Sequence, residues 1–219
     1  MRDFYKTIVI LEMNLRRNWM ILLRSSAQHV YWLGRYLYRI QYVTNQLPFT
    51  DDRQAADFAY ALCLQIDSAD NLNQFMLDKQ QPFSLLNQLE IARDNIHELR
   101  GLLSAQAYAE LNFLIKNVEA NALDIQRIVN RCCELLTAEQ EDISLFFRIG
   151  QCIEQIDTYF RFYQNIHKVM GVTELTIHQL FDLGWDELQP SWEIFKSEPY
   201  INQFYAFTYR LENQFEVYA

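Results

Sequence analysis

Two arginines four residues apart, Arg35 and Arg39, lie in the apolar segment Tyr31–Gln41, and two acids, Glu154 and Asp157, lie in a similar segment, Phe147–Asp157. Residues four apart share a helix face. A guanidinium offers a planar fork of donors that matches a carboxylate or phosphate bidentately. Arg24, Arg93 and Arg100 occupy comparable surroundings in a chain that is otherwise acidic. If Arg24, Arg35, Arg39, Arg93 and Arg100 converge, they form a small anion pocket, suited to a peptide carboxylate or an acyl phosphate. The alternative is that they form internal ion pairs that hold a bundle together. The residues alone leave both readings open.

Other chemistries find less support. The histidines are His29, His97, His167 and His178, and none follows a glutamate at the Glu-x-x-His spacing of a di-iron bundle. Asp94, three residues before His97, comes closest, but its carboxylate is shorter and a surface hydrogen bond explains the pair. There is no G-x-S-x-G elbow and no phosphate-binding glycine loop. Cys63, Cys132, Cys133 and Cys152 have neither zinc-finger nor thioredoxin spacing, and read as reduced, mostly buried thiols of a cytosolic protein. We therefore assign no catalytic residue, no metal ligand and no cofactor from the sequence. With 28 acidic and 19 basic residues the formal charge is −9, which disfavours nucleic acid and anionic membranes as partners. The apolar run Thr7–Leu11 is cut off by Glu12, too short for a signal core or a membrane span. The expectation is a soluble, cytoplasmic protein.

These side chains need a frame. Half of the 219 residues are apolar, with only five glycines and four prolines, a balance that favours long helices. Periodicity predicts a helix over 3–18, then one capped by Ser25 or Ser26 and running toward Leu47-Pro48. Asp51 and Asp52 open the next, with Phe58, Leu62 and Ile66 buried. Further helices are expected over 71–77, over 84–102 with Gly101 as the stop, from the Ser104 cap to about Val118, over 121–136 with Leu123 inside, and over 142–167. Thr173–Leu183 also reads as helical, while Tyr205–Tyr218 leaves helix and strand both open, with helix preferred. The fold class is all-α, a single-domain multi-helix bundle. Glycine inside a helix costs about 1 kcal/mol relative to alanine. Gly34 and Gly150 occupy equivalent places in the frames Leu33/Leu37/Ile40 and Ile149/Ile153/Ile156. That repeat predicts two helices crossing at their glycines about a pseudo-twofold.

Three segments, in order, resemble the bacterial alpha-E domain family of unknown function. Leu22-Leu23-Arg24-Ser25-Ser26-Ala27-Gln28-His29-Val30-Tyr31-Trp32-Leu33-Gly34-Arg35-Tyr36-Leu37-Tyr38-Arg39-Ile40-Gln41 is similar to the family's opening pattern, L-S-R-x-A-E-N-L-Y-W-L-G-R-Y-L-E-R-A-E. Ala92-Arg93-Asp94-Asn95-Ile96-His97, with Arg100 and Leu111-Asn112, is similar to the second. Ile149-Gly150-Gln151-Cys152-Ile153-Glu154-Gln155-Ile156-Asp157 is similar to the third, L-G-R-x-L-E-R-A-D. The Glu-Arg pair of each cassette is halved here: Tyr38-Arg39 lacks the glutamate and Glu154-Gln155 lacks the arginine. If the helices cross, Arg39 and Glu154 can pair between them; the alternative is that each faces solvent or a separate neighbour. The motif positions carried over are Arg24, Arg35, Arg39, Arg93, Asn95, Glu154 and Asp157.

The resemblance places the domain at 20–219 and leaves 1–19 as an N-terminal extension or a stretch upstream of the true start. It implies a helical scaffold or accessory protein working with an ATP-grasp-type ligase and a transglutaminase-like peptidase in peptide synthesis or modification. The second reading is a subunit that binds or processes an anionic amino acid or peptide in an arginine pocket.

Overall fold

The computed structural model describes residues 22–216, so the helix expected over 3–18 and the proposed extension 1–19 lie outside the described residues. The described part contains ten α-helices and no strand. They are α1 (Arg24–Thr44), α2 (Asp52–Ala61), α3 (Ala69–Leu77), α4 (Leu85–Glu98), α5 (Ala105–Lys116), α6 (Ala122–Thr137), α7 (Glu141–Arg161), α8 (His167–Leu180), α9 (Gln189–Ser197) and α10 (Ile201–Glu216). None among the described residues is long and apolar enough to cross a membrane.

Helix α1 is the axis of the fold. It makes its most extensive contact with α7 and also packs on α4, α6 and α10. Val30, Leu33, Leu37 and Ile40 are wholly buried, as the spacing predicts. Helix α7 is covered on several sides, with Phe147, Ile149, Ile153 and Ile156 inside. An aromatic cluster closes the C-terminal part: Trp192 packs on Phe195 and Phe207, and Phe204 on Phe195 and Phe160.

Starts of helices follow short-range side-chain chemistry. Asp51, Ser68, Ser84, Ser104 and Asn121 each accept a hydrogen bond from the backbone N–H three residues on. Helix α1 is an exception: neither Ser25 nor Ser26 caps it, because both already lie in its first turn after Leu23.

Ends of helices depart more from the sequence reading. Helix α4 stops at Glu98, before Gly101, which lies in the following turn. Helix α2 stops at Ala61, so Leu62 and Ile66 lie beyond it and are only half-buried; Ala55, Phe58 and Ala59 form its inner face. Leu123, at the start of α6, is exposed. The helix expected over 142–167 ends at Arg161.

Helices α2 and α7 end in the same way. Leu64 N donates to Ala59 O at 2.9 Å and Cys63 N to Tyr60 O at 2.9 Å; Gln164 N donates to Tyr159 O at 2.7 Å and Tyr163 N to Phe160 O at 3.3 Å. These paired bonds close a helix around one left-handed residue, a position that usually holds glycine. Here it holds Cys63 (φ 59°) and Tyr163 (φ 52°). Without a glycine at either place, neither stop was visible in the sequence.

Candidate functional site: the crossing of α1 and α7

Helices α1 and α7 meet at their glycines. A Cβ on Gly34 would lie 2.2 Å from Phe147 O, and one on Gly150 only 2.0 Å from Tyr31 O. Each backbone thus occupies the space where the other residue's side chain would begin. Such an approach needs glycine on both partners.

The close crossing brings the two half-cassettes together. Glu154 is almost wholly buried on α7. Its Oε2 accepts from Arg35 Nε at 2.9 Å and its Oε1 from Arg39 Nε at 2.6 Å. Arg35 Nη1 also donates to Glu212 Oε1 on α10 at 2.8 Å. The same oxygen accepts from Tyr31 Oη at 2.8 Å. Arg35 lies over the Trp32 ring, 4.8 Å from its centroid, and Arg39 lies over Tyr36. Three helices are thereby tied through Arg35, which bonds to Glu154 on α7 and to Glu212 on α10.

The protonation states follow from this packing. Burial pushes the Glu154 carboxyl upward, but Arg39 and Arg35 together outweigh it and hold the group below the usual glutamate range. Burial dominates at Tyr31, whose phenol is raised well above its ordinary value and stays neutral. At the centre of the cluster the Glu154 carboxylate is thus kept charged and the Tyr31 phenol neutral.

Asp157, one turn further along α7, is also buried. It accepts from Arg161 Nε at 2.9 Å and from Tyr205 Oη at 3.1 Å. Arg161 and Tyr205, absent from the sequence-derived set, belong to this site. The i,i+4 spacing of Asp157 and Arg161 was a signal available for the first; Tyr205 had none.

The five arginines do not converge. Arg24 donates to Gln214 O at 2.8 Å and lies over Trp185, which a turn containing the left-handed Gly184 carries toward it. Arg93 pairs with Glu90 at 2.6 Å on α4, and its buried Nε has no partner among the described residues. Arg100 is exposed in the turn after α4. Asn95 pairs with His29, Oδ1 to Nδ1 at 3.0 Å. Only Arg35 and Arg39 reach Glu154, because only they lie on the face of α1 that meets α7.

The remaining chemistry is quiet. No cluster of three or more metal-ligating side chains occurs among the described residues. Asp94 and His97 do not form a pair; His97 Nδ1 lies 2.9 Å from Tyr108 Oη. Burial, aided by Cys133, pushes the Cys132 thiol up to about 12, so it stays protonated and unreactive. Cys63, in contrast to the buried thiols expected, is exposed.

An all-α bundle built on a glycine crossing, with a buried glutamate shared by two arginines, defines a helical domain organised by a split Glu-Arg motif. The family described as "a predicted alpha-helical domain with a conserved ER motif", Alpha-E, matches residues 22–192, and the chain belongs to it. No curated protein and no solved structure matches the chain.

Proposed function

We propose that this protein is a non-catalytic helical accessory protein that works with an ATP-grasp-type ligase and a transglutaminase-like protein in peptide synthesis or modification. One observation carries the reading. Both oxygens of Glu154 are taken by Arg35 and Arg39 within the fold, so the Glu-Arg motif spends its chemistry on joining helices. A buried pair of this kind specifies one arrangement of elements more than it adds stability.

The surface offers a place for a partner. Ile201, Tyr205 and Tyr209 recur every four residues on α10 and are all exposed, a row of apolar and amphipathic side chains on one helix face. Tyrosine is enriched in interface cores because it combines large area with a polar tip.

Co-purification with an ATP-grasp-type ligase of the same organism tests the reading. The expected result is a stoichiometric complex that Tyr209→Asp weakens without lowering the melting temperature. Absence of any complex between the two purified full-length proteins would sink it.

A further inference from the structure

We propose that a cavity beside the Glu154 cluster binds a small apolar carboxylate, of the kind presented by an N-blocked amino acid or the C-terminal residue of a peptide. The cavity, of about 190 Å³, lies between α1, α4 and the C-terminal half of α7, and is bounded by Arg39, Gln88, Glu154 and Arg161. This inference does not depend on the partner reading above.

Two cations are available there. Arg39 and Arg161 each spend Nε on a carboxylate of α7, at 2.6 and 2.9 Å. Their terminal nitrogens have no hydrogen-bond partner among the described residues. An arginine held by Nε alone is oriented, yet keeps donors for an incoming oxyanion.

One acceptor is also available. Gln88 is 7% exposed; its Nε2 donates to Phe83 O at 2.9 Å, while its buried Oε1 has no partner. Buried polar atoms are nearly always paired, so an orphan on a residue that lines a cavity calls for a donor. The N–H of an acylated amino acid supplies one. The rest of the lining is largely apolar, including Leu62, Leu64, Met76 and Phe162, which suits an aliphatic side chain.

Charge selects the kind of anion. Arg35, Arg39 and Arg161 are balanced by Glu154, Asp157 and Glu212, three cations against three anions. A neutral cluster tolerates one added negative charge better than two, which favours a carboxylate over a phosphate.

Shape suggests how a longer ligand would leave. Leu64, Arg161 and Phe162 line both this cavity and an open groove of about 1010 Å³. The groove also contains Cys63 and Tyr163, the two non-glycine residues held left-handed. Backbone strain of this kind gathers at functional sites. A peptide with its C-terminal residue in the cavity would run outward along that groove.

Titration calorimetry with N-acetyl-L-leucine, N-acetyl-L-leucinamide and inorganic phosphate tests the site. The acid is expected to bind saturably, the amide at least about tenfold more weakly, and phosphate not to displace the acid. Arg161→Gln also takes the cation from buried Asp157, so its melting temperature is expected to fall; measured at a temperature where the variant is fully folded, the acid is expected to bind about tenfold more weakly. Gln88→Leu removes the orphan acceptor; it is expected to weaken binding several-fold while leaving the melting temperature unchanged or higher. Failure of the acid to saturate, equal affinity for acid and amide, full displacement by phosphate, or wild-type affinity in Arg161→Gln would each overturn the proposal.

Discussion

The middle of α7 and its C-terminal end solve opposite problems. In the middle, Gly150 admits the backbone of α1, and Glu154 receives one arginine on each oxygen. Each carboxylate oxygen that α7 contributes there is matched, and the crossing backbones leave no room for a Cβ at Gly150. Two turns later Arg161 keeps unpaired donors, Phe162 borders two openings, and Tyr163 holds a backbone shape that glycine would adopt more cheaply. One helix thus passes from a region whose interactions are complete to one whose interactions are incomplete. The first has the character of architecture, and the second has the character of a site.

The comparison can be broken most forcefully at Glu154. Glu154→Ala leaves Arg39 and the more deeply buried Arg35 facing an empty site, and is expected to cost about 3–5 kcal/mol in urea denaturation at neutral pH. The pH dependence has a definite sign. Because the folded carboxyl is held below its ordinary range, its contribution is present above the unfolded value of about 4.3 and is lost as pH falls through the folded value. Wild type should lose this increment on acidification, and Glu154→Gln, with no carboxyl there, should not. An identical acid profile for the two proteins would show that the cluster does not couple folding to pH.

Gly150→Ala is the next largest perturbation. Its Cβ meets the carbonyl of Tyr31, a backbone atom that cannot rotate away, so a loss of about 3 kcal/mol is expected. Gly101→Ala, where a Cβ meets nothing within 4 Å, is the matched control and should stay within about 0.5 kcal/mol. Equal effects at the two glycines would refute the close crossing.

The smallest effect has the opposite sign. Tyr163→Gly relieves a left-handed tyrosine and should raise stability by about 0.5–1 kcal/mol, after allowing for the freedom glycine gains in the unfolded chain. A loss of stability would mean that the Tyr163 ring, though almost fully exposed, contributes packing that outweighs its backbone strain.

The starts of helices were more legible than their ends. Asp51, Ser84 and Ser104 act over three residues, within the reach of local pattern. The stops at Cys63 and Tyr163 were not visible, because nothing local marks a cysteine or tyrosine for a left-handed cap. Gly101 attracted a stop that falls three residues earlier. Leu123 looked like core, yet it lies on the outer side of α6's first turn.

At the site, the repeated glycines pointed to a close approach, and the halved motifs pointed to residues that could complement one another. The motif alone did not say which arginines share Glu154. Arg93 and Arg24 have the same chemistry as Arg35 and Arg39, but stand on surfaces that never meet α7.

By itself, the sequence determined an all-α bundle, several of its helix starts, its family, and the two glycines without which α1 and α7 could not touch. These are consequences of short-range periodicity, of capping, and of the absence of a Cβ. The tertiary structure decided the pairing of Arg35 and Arg39 with Glu154, the joining of Glu212 and Tyr205 from α10, and the cavity between Arg39, Gln88 and Arg161. Those relations depend on the rotation and depth at which distant helices pack. Burial then makes them matter, because a charge or an unpaired amide that water would have satisfied must find its partner in the fold.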